Sequence, residues 1–111
     1  MTNIKCSIFS NDKLLGGSMR MKYQGDLFIK SKITVMNAQS LSILQQCFIS
    51  REYVQVLIEN REKTYLADCS IIGVSADNYT PLRKYHVLFG VEGIKEIEKE
   101  NIENTNMKVV V

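Results

Sequence analysis

Apolar and polar residues alternate with a period of two along most of the chain, the signature of half-buried β-strands. Residues 3–9 set Ile4, Cys6 and Ile8 on one side and Lys5 and Ser7 on the other. Ser10-Asn11-Asp12-Lys13 reads as a turn, because short polar side chains bond their own backbone. Leu14-Leu15-Gly16-Gly17 opens a second strand that ends or bulges at the glycines. From Ser18 the alternation resumes, with Met19, Met21 and Tyr23 against Arg20, Lys22 and Gln24, and Gln24-Gly25-Asp26 predicts a hairpin turn. Residues 27–36 form the next strand, with Leu27, Ile29, Ile33 and Val35 apolar. Its phase changes near Ser31-Lys32 if Phe28 is taken as core-facing, so the pattern assigns no face to it.

The period then shifts. Asn37 is placed to cap a helix over 38–48, in which Leu41, Leu44 and Phe48 recur at helical spacing and Ile43 and Cys47 widen the stripe. Gln39, Ser42, Gln45 and Gln46 leave the other face polar but uncharged, suited to solvent or to a subunit contact. Strands follow at 53–59, 63–76 and 83–91, joined by short loops, so an antiparallel meander is the economical pairing. Gly73 marks a bulge or a close approach within the second of them. In residues 92–104, Ile94, Ile97 and Ile102 would line one side of a short helix, and the chain ends in Met107-Lys108-Val109-Val110-Val111, a tail able to add a strand. The expectation is a mainly β (α+β) protein: an antiparallel β-sandwich or barrel with one flanking helix around 38–48 and a short C-terminal helix. Residues 1–104 would form a single β-rich domain and 105–111 a C-terminal tail.

Composition narrows the class. A chain of 111 residues is about one domain, and 45% hydrophobic with 23% charged residues argues against disorder. The long uncharged run between Lys32 and Arg51 is interrupted throughout by Asn, Gln and Ser, unlike a transmembrane helix. Asn3, Lys5, Asn11, Asp12 and Lys13 break any early apolar stretch, unlike a secretory signal. The net charge of +2 gives no reason to expect nucleic acid. Its distribution is uneven. Residues 1–35 hold six basic and two acidic side chains, a net +4, whereas 92–104 hold five glutamates and two lysines, a net −3. Arg20, Lys22, Lys30 and Lys32 are therefore candidate contact residues on one surface, with Glu96, Glu98, Glu100 and Glu103 as their complement on a neighbouring copy.

Residues that carry chemistry are sparse. Cys6, Cys47 and Cys69 stand 41 and 22 residues apart among apolar neighbours, which suits buried thiols and offers no zinc knuckle. The single histidine, His86, belongs to a strand and shares a face with Lys84 and Leu88. Gly16-Gly17 is followed by Ser18-Met19, so no phosphate loop is present. No catalytic residue, cofactor or metal site is expected, and the chain does not read as an enzyme.

Residues 40–96 carry a helix, a strand-turn-strand hairpin and a strand closing on Phe89-Gly90-x-x-Gly93, with an Ala67-x-x-x-Ile71-x-x-Val74-Ser75 rhythm. This half of the chain resembles the last part of phage tail tube and related tail structural proteins. The resemblance implies a β-sandwich or barrel with a flanking helix. It also implies a small tail, baseplate or tail-completion component, located in a virion or the bacterial cytoplasm. Its partners would be protein subunits, in a homo-oligomer or larger assembly, with no membrane. Asp68-Cys69-Ser70-Ile71-Ile72-Gly73 also resembles the Asp-x-Ser-x-x-Gly motif of PilZ domains. That likeness implies cyclic di-GMP binding through Arg51, Asp68, Ser70 and Gly73, although Arg51 alone stands where the family has paired arginines. A small phage-encoded inhibitor docking on a host protein is the third reading. The first is the leading expectation: a non-enzymatic structural or interaction subunit.

Overall fold

The structure, a computed structural model, describes residues 4–18, 21–23, 27–60, 63–76 and 84–97. In chain order the elements are β1 (Lys5–Ser10), β2 (Lys13–Ser18), β3 (Met21–Tyr23), β4 (Phe28–Val35), α1 (Ala38–Ser50), β5 (Val54–Glu59), β6 (Thr64–Ala76) and β7 (Lys84–Ile97). The sheet order is β2-β1-β5-β6-β7-β4-β3, and β2 pairs with β4 as well. That added pairing closes six antiparallel strands into a barrel, so the sandwich alternative falls away. β3 runs on along the edge of β4 that β2 begins: Gly16 and Gly17 face Val35 and Thr34, then Met21 faces Ser31. The expected β5-β6-β7 meander is present.

Closure depends on local chemistry at β2. Asn11 and Asp12 have φ of 49° and 64°. Two left-handed residues make the tight turn whose twist matches the flanking strands, and Asn and Asp adopt it at low cost. The β1–β2 register then shifts by one residue, Ile8 facing Gly16 and Phe9 facing Leu14, so Leu15 is the bulged residue. The strand runs through the glycines rather than ending there. A Cβ on Gly16 would lie 2.4 Å from the Thr34 carbonyl oxygen, and one on Gly17 would lie 2.7 Å from that of Cys6. The two glycines let β2 approach both neighbours at once.

One apolar core fills the barrel and extends into the helix, because Leu44 and Cys47 of α1 belong to the same buried cluster as Ile8, Leu15, Ile33, Val56 and Phe89. β4 alternates without any change of phase. Ile29, Ser31, Ile33 and Val35 are buried and Phe28, Lys30, Lys32 and Thr34 are exposed. Ser31 takes a core-facing position, where its Oγ lies 3.6 Å from Cys6 Sγ. A second, smaller cluster lies on the outer side of β1 and β5, where Phe9 and Leu57 are buried against Leu14, Leu66 and Ile97.

Helix α1 starts as expected: the Asn37 side-chain oxygen accepts from the Ser40 N–H at 2.8 Å. It runs two residues beyond the predicted end and stops at Arg51, whose φ of 57° is left-handed. The Glu52 N–H donates to the Cys47 carbonyl at 3.0 Å.

The expected helix after residue 91 is not found in its described part. β7 continues instead through Glu92 to Ile97, with Ala67, Leu66, Tyr65 and Thr64 facing Ile94, Lys95, Glu96 and Ile97. A three-isoleucine helical stripe is a weak local preference, and pairing with β6 supplies every second backbone group with a partner, so tertiary context prevails. Residues 98–104 of the expected helix, and the 105–111 tail, lie outside the described residues.

Candidate functional site

Two surfaces stand out on the barrel. The first is the outer side of α1. None of its 13 residues is charged. Ser40, Leu44 and Cys47 face the barrel, while Gln39, Ser42, Gln45 and Gln46 face outward. The last turn and the segment after it expose Phe48 (38%), Ile49 (73%) and Tyr53 (61%). Within α1 the exposed apolar side chains stand among neutral amides and hydroxyls, while the charged Arg51 and Glu52 separate Ile49 from Tyr53. Depletion of charge around exposed apolar groups is a feature that protein contact surfaces share.

The second is a groove of about 290 Å³ on the outer face of β4, β7 and β6, lined by Lys30, Gly73, Val74, Ser75, His86, Val87 and Leu88. Register explains its layout. Lys30, Leu88 and Gly73 form one cross-strand row, and Lys32, His86 and Ser75 the next. Between Ile71 and Gly73 the β6–β7 register shifts, so Ile72 is extruded and stands 46% exposed. On the same face, the Ser70 hydroxyl donates to the Gly90 carbonyl at 3.5 Å.

The residues singled out from sequence are only partly brought together. Lys30 and Lys32 share the exposed face of β4, and Lys22 is the register partner of Lys30 on β3. Glu96 lies far along β7, where its carboxylate is 4.0 Å from Lys63 Nζ. Both groups are more than half exposed, so this pair contributes only ~0–1 kcal/mol. Arg20, Glu98, Glu100 and Glu103 lie outside the described residues. Asp68, Ser70 and Gly73 do share the outward face of β6, whereas Arg51 sits in the left-handed turn that ends α1.

The cysteines are buried, free thiols. Burial pushes the Cys6 thiol up, opposed by hydrogen bonding from Ser31 and the Ser18 backbone. Burial also pushes Cys69 up to about 12, with Asp68, Cys6 and Glu92 adding repulsion. Thiols held protonated in this way are poor nucleophiles. Among the described residues no three His, Cys, Asp or Glu side chains converge as a metal site, and no helix is long and apolar enough to cross a membrane.

Sequence reasoning missed Ile49 and the groove. Ile49 carried a signal, because it falls off the Leu41-Leu44-Phe48 stripe and so points away from the core. The groove depends on the bulge at Ile72, which is set by the pairing between β6 and β7 and leaves no local mark beyond Gly73. Compared with protein-family models, with curated proteins and with solved structures, the chain matches none.

Proposed function

We propose that this protein is a non-enzymatic interaction subunit that works by self-association, docking through the uncharged outer side of α1. The observation that carries this reading is the exposure of Phe48 and Ile49 in the last turn of a helix without a single charge, with Tyr53 exposed two residues beyond its Arg51 cap. Burying large apolar side chains supplies affinity, and a neutral polar surround avoids desolvating charges at the contact. The resemblance of residues 40–96 to tail structural proteins supports a phage tail or tail-like assembly as the setting.

Charge supports a head-to-tail arrangement as the source of register. Glu96 is eight residues along β7 from Leu88, the partner of Lys30. At ~3.3 Å per residue that is roughly 26 Å, too far for the two charges to meet within one copy. Between copies they can.

Sedimentation velocity tests the proposal. The protein is expected to associate in a concentration-dependent way by about 100 µM, which corresponds to roughly 5 kcal/mol. Ile49→Asp is expected to abolish association while the folded barrel is retained. Glu96→Lys is expected to weaken it most at low salt. A strictly monomeric protein at that concentration, or association indifferent to Ile49→Asp, would overturn the proposal.

A further inference from the structure

Glycine at position 73 has no steric reason inside the chain. A Cβ built there meets no atom within 4 Å, and its backbone lies outside the left-handed region, so an L-residue would fit. Gly16, Gly17 and Gly90 differ, since a Cβ on any of them would lie 3.0 Å or less from a neighbouring atom. A glycine inside a strand weakens it, and it often marks a bulge or a place where a ligand or another backbone comes close. The β6–β7 bulge does lie at Ile71–Gly73, but a bulge calls for glycine where the backbone is left-handed, and that of Gly73 is not. Gly93 shares the same freedom on the arm of β7 beyond β4, whereas Gly73 lies in the groove.

The surroundings of Gly73 specify what could occupy that space. Leu88, its row neighbour, forms an apolar floor. Ile72 does not fill that space, because its side chain lies over Gly90, the Cδ1 being 3.0 Å from where a Cβ there would be. Lys30 stands exposed at the β4 side of the same row, with His86 and Ser75 in the adjoining row. An apolar floor with a few polar groups at its margin is the usual composition of a small-molecule site, and about 290 Å³ is at the lower end of such sites.

We propose that this groove binds a small amphipathic anion, whose flat apolar body rests on Leu88 and in the space above Gly73 and whose single acidic group meets the Lys30 ammonium. The apolar body supplies the affinity, and the lysine fixes the orientation. This site uses none of the residues of the α1 surface, so docking through α1 and binding in the groove can fail separately; only Lys30 is common to the groove and to the charge pairing proposed between copies.

The test is a titration of the isotope-labelled full chain with naphthalene-2-carboxylate, followed by amide chemical shifts, with naphthalene-2-methanol as the neutral counterpart. The expected result is saturable shifts at Gly73, Ser75, His86 and Leu88. Gly73→Val should fill the space and abolish those shifts while the remaining spectrum stays that of the folded barrel. Lys30→Gln should weaken the carboxylate about threefold, the scale of one exposed ion pair, and leave the neutral compound unchanged. The proposal is overturned if no saturable shifts occur, if they centre on Phe48 and Ile49, or if they survive Gly73→Val. An unfolded Gly73→Val chain would also count against it, because the open space at Gly73 is its starting point.

Discussion

Replacing Gly16 with alanine should open the barrel at its β2–β4 seam. The new methyl would lie 2.4 Å from the Thr34 oxygen and 3.0 Å from the Val35 Cα. Both are backbone atoms, so no side chain can swing aside, and β4 must retreat by about 1 Å to reach ordinary carbon–oxygen contact near 3.4 Å. The seam is short. It consists of the facings Gly16–Val35 and Gly17–Thr34, extended by the Met36 N–H donating to the Leu15 carbonyl at 3.0 Å. Losing two or three such hydrogen bonds costs about 1–4 kcal/mol. Partial exposure of Leu15 and Val35, now 1% and 3% exposed, adds to that. The gain from replacing glycine by alanine offsets about 0.5–1 kcal/mol. The net expectation is a loss of about 2–4 kcal/mol, a large share of a domain's ~5–15 kcal/mol. Urea unfolding measures it, and hydrogen exchange should show faster opening at Met36 and Gly17. Gly73→Ala serves as the control, because its Cβ meets nothing. A Gly16→Ala midpoint indistinguishable from the parent, with Met36 still protected, would refute the idea that close backbone approach closes this barrel.

Two further outcomes follow from the core. Leu44→Ala removes the most deeply buried apolar side chain of α1 and should cost about 2–5 kcal/mol in denaturant unfolding, whereas a loss under about 1 kcal/mol would mean that the helix is not part of the barrel's core. Cys6 and Cys69 titrate above the usual thiol value of 9.0 when folded, so the unfolded chain releases those protons first as pH rises. Stability should therefore be full below about pH 9 and decline between there and about 12, and a stability curve flat to pH 11 would contradict the burial of these thiols.

Most strands were legible because they carry a period of two. β5 is legible instead from its β-branched residues, since Val56, Leu57 and Ile58 are buried in succession. Even β4 obeys the period, with Ser31 core-facing. A serine is hard to place by pattern alone: it is small enough to be buried beside Cys6, and only the packed barrel shows that it is. Closure into a barrel was not legible, since it depends on β2 meeting β4 through Gly16 and Gly17, a contact that the glycines permit but do not announce. The continuation of β7 past Val91 was misread for a related reason. Ile94 and Ile97 fit a helix and a strand about equally, and the pairing with β6 that decides between them is a long-range event. Of the proposed contact residues, the α1 face was visible as an uncharged stripe of glutamine and serine, and the exposure of Tyr53 was not, because its strand-like neighbours gave no hint that it precedes the first paired residue.

The position of that tyrosine bears on how well α1 could serve as a contact surface. Cys47, Phe48 and Ile49 are consecutive, so the residue that fixes the helix to the core is adjacent to the two that face solvent. Arg51 in its left-handed conformation and the Glu52 N–H bound to the Cys47 carbonyl then define the path out of the helix. Two residues later Val54 is already paired with Cys69 in the barrel wall. Tyr53 is thus held between two fixed points only a few residues apart. A surface built this way loses little backbone entropy when it docks, because folding has already ordered it, and more of the apolar burial at Ile49 and Tyr53 can appear as affinity. The same coupling implies that a substitution loosening Cys47 from the core would weaken docking without touching any residue of the contact itself.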